Sequence, residues 1–596
     1  MSANPWGGGG SPGADATPGQ GGFEGLLIAL FGVVVGIALL VWAAGEVAGR
    51  LWAGRWPHVG AAGMAPVLGG LARHPGDPRR AWPPPVTPLL PGAVGFYAVL
   101  VVMAALVLGA VMAVRHLLDR THDDGTNARW ARPRELGPLI VKGPEPGRLI
   151  VGRSGNALLA TEKRQSLAVI GPTQTGKTTS FAIPALLEWD GPILAASVKD
   201  DLLGTTFAYR RRQGRVWVFD PTRSTRYPSA GWSPLAAIDD WGDAQQIAGW
   251  LSGAAEARAG LEEADFWHSS AEKYLAPYLW AAACGRGTMR DVLRWVNTRE
   301  VAEVDGILQG VGPTEARDEA WANWNLEERQ LSSVIATTRI VLKAFSVPKV
   351  AAMCDHCEIK PENLLNGKAN TLYLCAPPHE QRWLRPLFAT LVEQVINAVY
   401  KRAVEGEPVT SPLLVLLDEA ANIAPLRELD TYASTAAGVG MQLVTIWQDV
   451  AQMTVRYEDR AHSVLNNHRG IVLLSSISDP ATLEYGTRLI GHHEVAHESV
   501  TRGMAGVRST SESTIYRPLA PADALRRIMP LRGILLYGHL RPAQLRLRPY
   551  YRERELNARA LAGSREQHEA EPGRWYWPRS RQPPRLDVEL DIAAER

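Results

Sequence analysis

The chain has 596 residues, 46% apolar and 21% charged, with 63 basic against 61 acidic side chains, enough for several hydrophobic cores. A net charge of +2 excludes a polybasic arm as the dominant feature, so any nucleic-acid contact must come from local patches. Four cysteines, Cys284, Cys354, Cys357 and Cys375, exclude a disulfide scaffold and fit a reducing compartment.

Residues 1–22 are Gly, Pro, Ser and Ala with almost no core formers, and read as a disordered lead. An anchor over residues 23–115 follows. GLLIALFGVVVGIALLVWAA (25–44) and GAVGFYAVLVVMAALVLGAVMAV (92–114) carry no charge. At ~1.5 Å per residue each is long enough to cross a ~30 Å hydrocarbon core as a helix. No Lys or Arg precedes the first run, and it exceeds the apolar region of a signal peptide. The loop between the runs holds Arg50, Arg55, Arg73, Arg79 and Arg80; the flank after the second holds Arg115, Arg120, Arg129, Arg132 and Arg134. Equal counts leave the positive-inside rule undecided. Within the loop, WPPPVTPLLP (82–91) favours extended chain over a folded domain.

SLAVI (166–170) reads as a short buried strand running into GPTQTGKT (171–178) and then a helix-like TSFAIPALLEW. This is G-x-x-x-x-G-K-[ST] between strand and helix, the setting in which it cradles phosphates. Glycines let the backbone turn its N–H groups inward, and the helix N-terminus adds its positive end. Lys177 brings a point charge to the β- and γ-phosphates and Thr178 a hydroxyl to Mg²⁺. The candidate ATP-binding residues are Gly171, Pro172, Thr173, Gln174, Thr175, Gly176, Lys177, Thr178 and Thr179.

Further along, Arg210, Arg211 and Arg212 read as a solvated helix end. Residues 241–350 have helical periodicity and few turn clusters, and read as an all-helical insertion that separates Lys177 from its acidic partners. Cys354-Asp-His-Cys357 has zinc-like spacing but no second pair, so reduced thiols on a short turn are expected.

SPLLVLLDEA (411–420) is an apolar strand ending in Asp418-Glu419, carboxylates expected at the carboxyl edge of a parallel sheet. Asp418 is the expected Mg²⁺ ligand and Glu419 the group that polarises the attacking water. MQLVTI (441–446) ends at Trp447-Gln448, where Gln448 can sense the γ-phosphate or the water. His493-Glu494-Val495-Ala496-His497 matches H-E-x-x-H, which binds zinc only when a helix puts both histidines on one face. Nothing marks a long apolar helix here, and a solvated loop is expected. From about Ser564 the tail is again poor in core formers apart from Trp575, Tyr576 and Trp577.

The order of these features resembles the TraD/TraG-type coupling proteins of conjugation and type IV secretion. It comprises two amino-terminal spans, LIVG ahead of LAVIGPTQTGKTTS, SVKDDL, VWVFDP, GWSPL, a helical insertion, TLYLCAPP, LLVLLDEAANI and IWQD. The resemblance implies an α/β fold: a RecA-like P-loop nucleotide-binding domain with an all-helical insertion, preceded by two transmembrane helices. It divides the motor into residues 131–240 and 351–550 around the insertion, with a tail over 551–596. It implies ATP and Mg²⁺ as cofactors and a homo-hexameric ring at the cytoplasmic face of the cell membrane. The ring drives single-stranded DNA, with a relaxase-type protein, towards other membrane components of the secretion system. ATP is cytosolic, so both termini are expected inside and the loop between the spans outside.

Three departures stand out: Gln174 where a glycine is usual, Val198-Lys199-Asp200 without the aspartate that commonly precedes the lysine, and no arginine in STAAGVG (434–440). The last leaves Arg427 and Arg469 as candidates for a trans-acting arginine. A nucleotide-gated adaptor for protein cargo and an FtsK-type DNA translocase are the alternatives. The FtsK reading expects more spans and a terminal winged-helix reader, for which the chain after residue 550 is too short and too rich in Pro and Arg.

Overall fold

The computed structural model describes the chain apart from residues 1–20, 61–63, 122–126, 198–199, 256–263, 312, 503–507 and 562–596. For residues 21–34, 64–65, 115–121, 200, 264–265, 496–502 and 508–512 it describes the backbone alone. The disordered-lead reading of residues 1–20, Lys199 and the Trp575–Trp577 cluster therefore lie outside the described residues. The chain separates into Met1–Thr126 and Asn127–Arg596.

In the first unit, the helices Gly21–Ala53 and Ala93–Thr121 hold the two apolar runs. Val35–Ala53 and Ala93–Val114 are apolar and long enough to cross a membrane, the latter with a mean hydropathy of 2.7. Val101, Leu106, Leu108 and Met112 point outward with most of their surface exposed. Outward-facing apolar side chains on a helix of this length suit lipid as the surrounding solvent.

The loop between these helices is folded, contrary to the extended chain expected from its prolines. It contains the helix Met64–Arg73 and the 3₁₀ turns Pro78–Ala81 and Thr87–Leu89. Pro78 and Pro88 stand at the first and second positions of these turns; a proline φ of about −65° fits a 3₁₀ turn as well as PPII chain, so the prolines alone did not decide between them. Val59, Val67, Trp82, Val86, Leu90 and Phe96 form one buried cluster with Val41 and Ala48. Glu46, 7% exposed, accepts N–H bonds from His58 (3.1 Å) and Val59 (2.8 Å), which returns the chain against the first helix.

The second unit is built on a sheet of twelve strands. In chain order these are β1 (Ile140–Val141), β2 (Ile150–Ser154), β3 (Ala157–Ala160), β4 (Leu167–Ile170), β5 (Ile193–Ser197), β6 (Val216–Phe219), β7 (Thr371–Cys375), β8 (Leu413–Asp418), β9 (Met441–Trp447) and β10 (Gly470–Leu474). A separate ribbon of β11 (His492–Arg502) and β12 (Arg508–Pro518) intervenes before β13 (Arg532–Tyr537) and β14 (Ala543–Arg546) complete the sheet. The strand order is β1-β3-β2-β14-β13-β10-β4-β9-β8-β5-β7-β6.

From β10 to β6 all neighbours are parallel; from β1 to β13 they are antiparallel. The parallel strands are buried on both faces, as near-continuous apolar runs require. Alternate residues serve the two faces: Leu414, Leu416, Val444 and Ile446 join one core, and Leu413, Val415, Leu417 and Leu443 the other. Between β6 and β7 the described elements are all helical, including Trp241–Ala254, Ala264–Cys284, Met289–Thr298, Thr314–Trp324 and Glu328–Val341. Their apolar faces belong to the second of those cores, so this insertion shares its interior with the sheet.

Arg210 is not solvated. It lies fully buried in the last turn of the helix Asp200–Gln213, and its guanidinium donates to the carbonyls of Trp189 (2.6 Å), Gly191 (2.9 Å) and Ala369 (2.9 Å) and to Thr371 Oγ1 (2.8 Å). Arg211 and Arg212 are exposed. With that many acceptors the interior holds the charge, and a hydrophobic residue there would leave buried carbonyls unpaired.

The H-E-x-x-H segment lies on β11, not in a loop. β11 pairs with β12 in register from His492↔Pro518 to Arg502↔Arg508. Alternation of apolar and polar residues was too weak to signal a strand, and the pairing supplies what periodicity did not. At ~3.3 Å rise per residue the Cα atoms of His493 and His497 stand ~13 Å apart, too far to share one zinc ion.

Candidate nucleotide site

The parallel strands all end at one edge, and the crossovers leave the sequence motifs there. β4 leads into residues 171–178, followed by a π-helical turn, Thr178–Ala182, and the helix Ile183–Glu188. β9 lies beside β4 with Ile170 opposite Trp447, and the Gly171 N–H donates to the Trp447 carbonyl at 3.1 Å. Gln448 thus begins where the phosphate loop begins; its own N–H donates to Gln452 Oε1 at 3.2 Å. β8 is the next strand, so Asp418 and Glu419 stand one place further along the same edge.

The loop backbone is compact and specific. Gly176 has φ +91°, a conformation in which a side chain is strained, and an added Cβ would lie 3.2 Å from Ser180 Oγ. Gln174 also adopts the left-handed region, φ +65°, so the position that favours glycine is filled here by a strained side chain at a cost of ~1–2 kcal/mol. Its side chain and that of Thr173 are exposed, whereas Thr175 is buried and its hydroxyl donates to the Pro172 carbonyl at 2.8 Å. Lys177, 8% exposed, bonds the carbonyls of Gly171 and Pro172. Thr179 donates to Gly176 at 3.4 Å.

Across the sheet edge, the Thr178 hydroxyl donates to Asp418 Oδ2 at 3.1 Å. Asp418 is 3% exposed and accepts a second bond, at 3.3 Å, from Ser197 at the end of β5. Thr178 and Asp418 together form a small, oxygen-only donor set, the chemistry that suits a hard Mg²⁺ ion beside phosphates. Glu419 follows with φ +66°, at the position just before the short helix Ala420–Ile423, and its side chain makes no capping bond to that helix. The Asn422 amide donates to Glu419 Oε2 at 3.5 Å. Arg385 in turn donates to the Asn422 carbonyl (3.0 Å) and to Asn422 Oδ1 (3.3 Å).

Ser197, Asn422 and Arg385 were missed by sequence reasoning. Ser197 was findable as the last residue of the strand paired beside β8; Arg385, on the helix Gln381–Val404, left no local signal.

The remaining sequence candidates fall elsewhere. Arg427 is exposed and borders a cavity of about 350 Å³ with Glu272, Glu393, Glu428 and Trp250. Arg469 precedes β10 at the opposite edge of the sheet, paired with Glu162 at 3.2 Å and over the Tyr537 ring. Cys354 and Cys357 are reduced, and burial pushes the Cys354 thiol up to about 12. Among the described residues no group of His, Cys, Asp and Glu is arranged to hold a metal ion as a cluster.

A mixed sheet whose parallel half carries a strand–phosphate loop–helix unit with an acidic strand end two places away defines a P-loop α/β protein. The family described as type IV secretory system conjugative DNA transfer matches residues 137–570, and the chain belongs to it. It is 23% identical over 481 residues to protein VirD4 of Agrobacterium fabrum, spanning 77% of this chain and 71% of that one. It is 24% identical over 440 residues to a probable conjugal transfer protein TraG of Sinorhizobium fredii, over 70% and 65% of the two chains. Two structures of the plasmid coupling protein TrwB share the fold. The unbound protein gives a TM-score of 0.55 at 20% identity over 71% of this chain and 94% of that one. The complex with ADP and Mg²⁺ gives 0.54 at 19% identity over the same shares.

Proposed function

We propose that the chain is a membrane-anchored ATPase that couples ATP hydrolysis to the passage of single-stranded DNA, with a relaxase-type protein, into a type IV secretion channel. The observation that carries this reading is the meeting of Thr178 and Asp418 at 3.1 Å, 240 positions apart in sequence, with Glu419 next to them, in a chain of the conjugative DNA-transfer family. Backbone N–H groups of residues 171–178 and Lys177 hold the phosphate chain. Thr178 and Asp418 hold Mg²⁺, which supplies charge neutralisation to the phosphates when bound. Glu419 takes the proton from the attacking water, and Gln448 orients that water from the neighbouring strand end.

The division of labour follows the chain: an anchor over 23–115, motor segments over 131–240 and 351–550, and the helical insertion over 241–350. We place both termini on the cytoplasmic side of the cell membrane, because ATP is there. A trans-acting arginine completes the site in a homo-hexameric ring, since Arg427 and Arg469 both stand away from the phosphate loop of their own chain. Two spans confine subunits to a plane and raise their local concentration, which favours the ring.

The test is ATP turnover of the full-length protein in nanodiscs with and without single-stranded DNA. Stimulation by DNA, with turnover per subunit rising with protein concentration in detergent as rings assemble, is the expected result. Turnover that responds to secreted protein cargo and ignores DNA would replace the translocase with a nucleotide-gated adaptor.

A further inference from the structure

Beside the nucleotide edge, the helix Gln381–Val404 sends one side chain into the turn that carries Glu419. Arg385 grips Asn422 at two points, the backbone carbonyl at 3.0 Å and the side-chain Oδ1 at 3.3 Å. A guanidinium is a donor only, so its partner on the amide must be the oxygen. The amide is thereby prevented from flipping, and its NH₂ is left facing Glu419 Oε2 at 3.5 Å. Asn422 is fixed from the other side as well, since its N–H donates to the Glu419 carbonyl at 2.8 Å. Glu419 itself has a left-handed backbone, so the direction of its side chain is not set by the strand it follows, and an external hold is needed to aim it.

Resting on the reading of Glu419 as the base, we infer that Asn422 is a positioning residue for Glu419 and that Arg385 fixes the polarity of its amide. The contact puts a donor on one carboxylate oxygen and leaves the other for the water proton. Arg385 also ties this arrangement to a helix that packs on the insertion helix Trp241–Ala254. The same helix packs directly on Ala420–Ile423, so Arg385 is one of several contacts that join the insertion to the turn carrying the base. The hold acts on the reacting geometry and leaves phosphate binding to the loop, so its loss appears in kcat and spares the affinity for ATP.

The informative variant is Asn422→Asp, measured on the full chain in nanodiscs. Aspartate is isosteric and keeps an oxygen towards Arg385, so a purely structural role survives or gains. It replaces the amide donor with a carboxylate oxygen against Glu419, so the positioning role is lost and the like charges push Glu419 aside. We expect kcat to fall at least about tenfold with KM for ATP within about twofold of wild type, and the melting temperature unchanged. Asn422→Gln, which restores an amide, should recover part of the rate, and Arg385→Lys, which cannot grip both acceptors, should show an intermediate loss. In a Glu419→Gln background Asn422→Asp should change nothing further.

Wild-type kcat in Asn422→Asp overturns the inference, as does a loss matched by a rise in KM or a fall in melting temperature. Wild-type turnover in Glu419→Gln instead overturns the base reading, whatever residue 422 does. An inactive Glu419→Gln beside a fully active Asn422→Asp removes only the positioning role.

Discussion

Two short segments of this chain carry rare metal- or phosphate-binding patterns, and the fold treats them oppositely. Residues 171–178 lie between a buried strand and a helix, with Gly176 at φ +91° and Lys177 turned onto the loop carbonyls. Residues 493–497 lie on one strand of an antiparallel ribbon, where their histidines are spread along the strand. A motif is a statement about side-chain types at a spacing, whereas binding is a statement about distances, and the backbone converts one into the other. The phosphate loop has flanks that force its backbone; H-E-x-x-H has none.

The strongest way to break that contrast is Lys177→Ala. The loop loses its cation, and titration with a fluorescent ATP analogue should show binding weakened at least about 100-fold. Near-normal affinity would mean that the loop is a turn and nothing more. Glu419→Gln separates binding from chemistry: the affinity should hold while single-turnover hydrolysis slows about 10²–10⁴-fold.

A third variant sharpens the comparison from the opposite direction, through a site with no motif at all. Glu393 is buried against the Tyr432 hydroxyl beside the 350 Å³ cavity, and desolvation pushes its carboxyl up to about 7. Its folded-state value lies above the unfolded one, so its contribution is complete below about pH 4.5 and lost as pH rises through 7. The loss amounts to about 3 kcal/mol, and Glu393→Gln should abolish the corresponding fall in urea midpoint between pH 5 and 8. An unchanged slope would place that titration elsewhere.

Gln174→Gly removes the strained left-handed side chain and should stabilise the loop by about 1 kcal/mol at most, offset by glycine's greater unfolded-state entropy. A calorimetric melting temperature at or slightly above wild type is expected; a clear fall would show that the Gln174 side chain holds the loop. The smallest effect belongs to His493→Ala with His497→Ala. Zinc content by mass spectrometry and ATP turnover should both stay at wild-type values, and stoichiometric zinc lost on substitution would overturn the ribbon geometry.

The phosphate loop was legible because its requirements are local: two glycines, a lysine and a hydroxyl between a buried strand and a helix. The apolar spans, the buried strands that end at Asp418 and at Trp447 just before Gln448, and the helical character of the insertion were legible for the same reason, each being written in consecutive residues at a period of 2 or 3.6 or in an unbroken apolar run. Periodicity carries no information about which strands become neighbours. The order β4-β9-β8-β5 is what brings Thr178, Asp418 and Ser197 within hydrogen-bond reach. Arg210 looked like the start of a solvated basic run until four distant acceptors closed on it, and the loop between the spans looked extended until Trp82 and Phe96 buried against each other at 6.5 Å. Residues 493–497 became a strand through pairing with residues 513–517. Sequence by itself determined the local chemistry of each element; only the tertiary structure decided which elements share it, because a contact between segments far apart in the chain depends on packing that no single segment encodes.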